Sequence, residues 1–212
     1  MKRNLLSFLL LSVALTLSAQ SLVKVKYQGA KPTITDFVSA YLAPAAADDE
    51  EAMECDGEAV AWLQQAWENH LKGQKQAEGV TVTADVKNGF VTIESKHVYD
   101  GDEQIIRVEM CYWNCADQKH KIFAFNEACF TNGKYSPGQF DGLVLFRYNN
   151  ATKGMDTIAD NGLAALYDSL AEGVMPSFSL PRSGKDITAT LWFPSGMKQQ
   201  KILKWNGNGF SK

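Results

Sequence analysis

Between residues 80 and 148 apolar and polar side chains alternate with a period of two, in runs broken by turn-forming pairs. That pattern predicts an antiparallel β-meander. Asn88 with Gly89, and Asp100 with Gly101, are pairs that accept positive φ in two-residue hairpin loops, and loop length sets register. The first loop is expected to place Val86 opposite Val91, Ala84 opposite Ile93, Val82 opposite Ser95 and Val80 opposite His97. The second places Val91 opposite Met110, Ile93 opposite Val108, Ser95 opposite Ile106 and His97 opposite Gln104. A third loop centred on Asp117 and Gln118 sets Tyr112 against Phe123, Met110 against Phe125, Val108 against Glu127 and Ile106 against Cys129. One face of four strands thus carries Val80, Val82, Val86, Val91, Ile93, Ile106, Val108, Met110, Tyr112, Phe123 and Phe125, and it needs a cover.

Two helices precede the meander and are the expected cover. Thr33 followed by Asp36 has the form of a capping box, and Ile34, Phe37, Val38 and Tyr41 recur at helical spacing over residues 33–43 before Pro44. A second helix spans 57–72, from Asp56 as N-cap to Gly73 as its stop, with Val60, Leu63, Trp67, His70 and Leu71 on the buried side. A fifth strand is expected at 143–148, a short helix at 162–171 and strands over 178–205, ending in a hairpin where Trp192 faces Trp205. The fold class expected is α+β: N-terminal helices on a twisted antiparallel meander, with a C-terminal β-hairpin. This arrangement resembles cystatin-like and NTF2-like folds, in which a sheet grips a helix. The cystatin Gln-x-Val-x-Gly segment is absent, so the resemblance implies no protease inhibition.

The N-terminus changes where the protein is placed. Lys2, Arg3, an apolar run from Leu5 to Leu17 and small residues at Ser18, Ala19 and Ser21 have the layout of a signal peptide over 1–20, leaving one domain over 21–212. The apolar run falls short of the roughly 20 residues a membrane span needs. Ser18, Ala19 and Gln20 resemble the export signals of Bacteroidetes, which implies the periplasm or the extracellular side of a Gram-negative cell. Leu180, Pro181 and Arg182, with the stretch 202–207, resemble pieces of uncharacterised secreted proteins of the same group and imply no activity. The formal charge of −3 over 212 residues becomes −5 once Lys2 and Arg3 leave with the leader. A net negative chain is a poor partner for nucleic acid.

Candidate chemistry is sparse. Walker, dinucleotide-binding, His-Glu-x-x-His and Gly-x-Ser-x-Gly motifs are absent, and no catalytic residue or cofactor is assigned. The acidic stretch 48–56 lacks EF-hand spacing and reads as a solvated loop. Cys111, Cys115, His120 and Cys129 invite a zinc reading. However, Cys111 and Cys115 stand about 13 Å apart along one strand and Cys129 points to the opposite face, so no metal site is assigned. An exported chain favours disulfides, and Cys55 with Cys129 is the expected pair. Ser95, His97, Gln104 and Glu127 interrupt the apolar face, and a carboxylate there should shift its pKa or find a partner. Glu127, His70, His97 and Trp113 are therefore the ligand-binding candidates, with Tyr135 a second aromatic. Glu127 and His97 lie about 16 Å apart, too far for a dyad. The function expected is a non-enzymatic binding or structural module of the cell envelope. Its partner would be a protein, glycan or small ligand, held in a cleft between helix and sheet or along the edge strand 80–86. The alternative is a small hydrolase using Glu127 or a histidine.

Overall fold

The structure, a computed structural model, describes residues 23–43, 53–138, 141–158 and 163–211, without the side chains of 53–60. The expected leader, the acidic loop before residue 53 and the side chain of Cys55 lie outside the described residues. The elements in order are β1 (Val23–Lys24), α1 (Ile34–Tyr41), α2 (Met53–Leu71), β2 (Val80–Asp85), β3 (Phe90–Tyr99), β4 (Asp102–Asn114), β5 (His120–Thr131), β6 (Lys134–Tyr135), β7 (Gly142–Asn149), β8 (Gly154–Thr157), α3 (Ala164–Tyr167), β9 (Met175–Ser179), β10 (Ile187–Trp192), β11 (Lys198–Trp205) and β12 (Phe210–Ser211).

The meander registers of β3 with β4 and of β4 with β5 are those expected from the turns: Val91 pairs with Met110, His97 with Gln104, Tyr112 with Phe123 and Val108 with Glu127. The first hairpin differs. Val80 pairs with Ser95, Val82 with Ile93 and Ala84 with Val91, because Val86 through Gly89 form a four-residue loop. Asp85 stabilises that longer loop by accepting from the Asn88 amide and side chain at 3.2 and 2.8 Å. Gly89 is required there: its φ is +67°, and a Cβ would come within 2.9 Å of the Tyr112 ring. The slip is two residues, an even number, so every side chain of β2 keeps its expected face.

The fold class is corrected. Strands take up 47% of the structure and helices 14%, and the sheet is a curled antiparallel half-barrel, so helices packed on a meander do not describe it. Its order is β1-β8-β7-β5-β4-β3-β2, with β6 beside β5. The expected C-terminal hairpin is instead part of a second, four-stranded sheet, β12-β11-β10-β9. Trp192 and Trp205 stand at opposite ends of it: Trp192 pairs with Lys198, and Trp205 with Phe210 in β12.

Two cores follow from the two faces of the curled sheet. One holds Phe37, Val38, Leu63 and Trp67 of α1 and α2 against Val91, Ile93, Val108, Met110, Phe123 and Tyr148. Thr33 N donates to Asp36 Oδ2 at 2.7 Å to start α1, and Trp67 Nε1 donates to Ser39 Oγ at 2.9 Å to bind the helices together. The second core sets Phe90, Cys111, Trp113, Ile122, Ala124 and Leu145 against Phe178, Ile187, Ala189, Leu191 and Leu203 of the smaller sheet. Three polar groups seam that interface. Glu109 Oε2 accepts from Leu180 N at 2.7 Å, Asn126 Nδ2 donates to Phe178 O at 3.0 Å, and Trp113 Nε1 donates to Lys185 O at 2.9 Å. Each ties a side chain of the larger sheet to a backbone group of the segment 178–185. No helix of the described residues is long and apolar enough to cross a membrane.

Candidate functional site

The turn between β4 and β5 is built on Asp117. Its Oδ1 accepts from the backbone of Lys119 and His120 at 2.8 and 3.0 Å, while its Oδ2 accepts from His120 Nδ1 at 2.6 Å. The His120 hydrogen bond, above all, holds the Asp117 carboxyl down at about 2. Gln118 takes φ +57° to close the loop. The next turn docks on it: Asn150 N donates to Lys119 O at 2.9 Å, and Asn150 Nδ2 to Gln118 O at 2.9 Å. Together with the segment leading into α1, these turns enclose a cleft of about 510 Å³. Tyr27, Lys31 and Pro32 form one wall, and Asn114, His120, Lys121 and Asn150 the other.

Lys121 is the unusual member. It shares a face with Phe123 and Phe125 on β5 and is only 6% exposed. Its Nζ donates to Asn114 Oδ1 and lies 5.0 Å from the centre of the Tyr112 ring. Burial, and then Lys31, pull its pKa below the ordinary lysine value. The ion pairs among the described residues all use other groups.

Cys115, His120 and Asp117 have the composition of a nucleophile, base and orienting acid, but not the chemistry. With Nδ1 bonded to Asp117, the other imidazole nitrogen meets Asn149 Nδ2 at 3.3 Å, so the ring is occupied on both sides. Burial pushes the Cys115 thiol up, whereas an activated thiol needs a lowered pKa.

A second cluster sits toward the far end of β5. Ligand-type atoms of Glu127, Cys129 and Asp141 lie within 4.8 Å of one another. Asp141 Oδ2 accepts from Cys129 N at 2.7 Å, while its Oδ1 is buried without a hydrogen-bond partner among the described residues. Burial and the neighbouring Asp141 raise the Glu127 carboxyl to about 7. Burial, with Asp141 again, raises the Cys129 thiol to about 12. A Cβ at Gly138 would stand 3.3 Å from both Asp141 Oδ1 and Cys129 Sγ, so the loop after β6 lies close against the cluster. These are donors of the kind that hold a cation, but they supply three ligands at loose spacing, short of a closed tetrahedral site.

The residues singled out in the sequence are dispersed. Glu127 belongs to the acidic cluster, where its charged neighbour is Asp141, and His70 stacks on Trp67 with ring centres 5.4 Å apart. His97 is exposed, its Nε2 3.0 Å from Gln104 Oε1. Trp113 is buried in the seam between the sheets, stacked on Trp205 at 5.7 Å. Tyr135 packs against Phe130 and Trp192. Among the described residues Cys111, Cys115 and Cys129 form no disulfide with one another; the expected Cys55–Cys129 pair involves Cys55, whose side chain lies outside the described residues. Sequence reasoning missed Lys121, Lys31 and Asp141. The signal for Lys121 was present, since a lysine two positions before Phe123 falls on the inward face. Asp141 carries no periodic signal, because a loop brings it back to β5.

No family model, curated protein or solved structure matches this chain. The site must be read from its own geometry.

Proposed function

We propose that this protein is an exported, non-enzymatic binding module of a Gram-negative cell envelope, and that its ligand sits in the cleft between the β4–β5 turn and the segment before α1. The observation that carries this reading is an open polar cleft of about 510 Å³ lined by Lys31, His120, Lys121 and Asn150. The wall of Asn114, His120, Lys121 and Asn150 is held on strand ends and hydrogen-bonded turns, so little ordering of that wall is required on binding. The resemblance of the leader to Bacteroidetes export signals supports the compartment. The site test is an NMR screen of small glycans and peptides: a ligand should move the amides of residues 114–121 and Asn150. A ligand that binds while shifting only amides elsewhere would displace this reading. Fractionation of cells expressing the full chain, with mass measurement of the mature N-terminus, tests export.

A hydrolase using Glu127 is the second reading. It is favoured by one observation, a carboxyl raised to about 7 beside a second carboxylate, as general acids are. Turnover of chromogenic esters or glycosides, lost in Glu127→Gln, would support it; an inert panel would leave the binding module.

A further inference from the structure

We infer that the ligand of this cleft is a small anion, or carries one, and that Lys121 and Lys31 hold its carboxylate, phosphate or sulfate group. The inference rests on the binding reading above and names the chemistry of the ligand. Lys121 is only 6% exposed, yet among the described residues its hydrogen-bond partner is the neutral carbonyl of Asn114, and the Tyr112 ring centre lies 5.0 Å from its Nζ. Among the described residues no carboxylate forms an ion pair with Lys121; a buried ammonium left so is costly, and a second lysine on the facing wall adds repulsion. Asp117, the acid nearest in sequence, is committed to His120 and to two backbone N–H groups. An ammonium has three donors; Asn114 takes one, which leaves two for an oxyanion in the cleft. The shape agrees: about 510 Å³ is room for an anion attached to a sugar-sized body, with His120 and Asn150 along the same wall.

A structural lysine and a ligand lysine make opposite predictions. If Lys121 serves the fold through Asn114, replacing it destabilises the protein. If it serves a ligand, Lys121→Met leaves the ligand-free protein as stable as before or more so, because the methionine stem still packs on Tyr112 without a charge to desolvate. The experiment uses the mature chain with sodium phosphate, sodium sulfate and sodium glucuronate, against sodium chloride and glucose at matched ionic strength. Thermal melts and NMR titrations are the readouts. At least one of the three anions should raise the wild-type Tm and move the amides of residues 114–121. Lys121→Met should weaken that binding by about 10- to 100-fold, the usual worth of a hydrogen bond to a charged group. Lys31→Met, at an exposed position that folding tolerates, should weaken it severalfold. The inference is overturned if none of the anions acts, if both variants bind like wild type, or if Lys121→Met melts below wild type without ligand. Glucose or a neutral glycan shifting the same amides while the anions do not would refute the anion and leave the binding module standing.

Discussion

Lys121 and Glu127 leave the same strand on the same side, about 20 Å apart at standard strand rise, and they meet opposite fates. Burial pushes each toward its neutral form, lowering the lysine and raising the acid. In both cases a group of the same sign adds to the shift, Lys31 at one end and Asp141 at the other, so the neighbour reinforces the desolvation. The surroundings differ. Lys121 faces a cleft that solutes can enter, whereas Glu127 lies in a tight knot with Cys129, Asp141 and the loop at Gly138. One strand therefore carries a basic opening and an acidic knot, and the aromatic middle of β5 separates them.

That middle is where the comparison breaks most easily. Phe123 is fully buried and stacks on Phe37 at 5.7 Å, so Phe123→Ala should cost about 3–5 kcal/mol and unfold both ends in one transition. Urea denaturation followed at Trp fluorescence and far-UV circular dichroism checks this; two separated transitions would mean that the ends are independent. Next in size is thiol reactivity at the acidic end. With its thiol at about 12, Cys129 should alkylate at pH 8 at least about a hundredfold more slowly than a thiol of the unfolded chain. Iodoacetamide labelling read by peptide mass mapping would contradict this if Cys129 reacted at the denatured rate.

Glu127 gives a smaller effect with a definite sign. Its folded pKa is about 7 against an ordinary 4.5, so the native state binds the extra proton and stability falls as pH rises between those values. The penalty is complete above pH 7. Because water reaches part of the carboxyl, it amounts to about 1–2 kcal/mol rather than the full shift. Glu127→Gln should accordingly exceed wild type by that amount at pH 8 and match it near pH 4, by denaturant midpoints; an equal gap at both pH values would assign the effect to packing. The smallest effect belongs to Asp117→Asn at the basic end. Asp117 has a lowered pKa, so its contribution is present above about pH 4 and is lost as pH falls toward 2. The variant should melt slightly below wild type at pH 7 and together with it at pH 2.

Two of the three meander registers, the start of α1 and the faces of the meander residues are legible in the local pattern of the chain. These are local quantities, set by turn chemistry and a period of two, which is why even the misread hairpin at Asn88 kept its faces. A further clue lay in Ile122, Phe123, Ala124 and Phe125, four apolar residues in a row where a half-exposed strand would alternate. That run signals burial on both sides of β5, and the second sheet is what buries the other side. What covers each face is settled by distant parts of the chain: α1 and α2 on one, the sheet β9 to β12 on the other, with Glu109 and Asn126 answering backbone groups of a distant segment. They also settle the electrostatics. Alternation says toward which side Lys121 and Glu127 point, but a pKa and a cleft depend on charges and walls that loops bring from elsewhere in the chain, as Lys31 and Asp141 do. No local pattern encodes those distances.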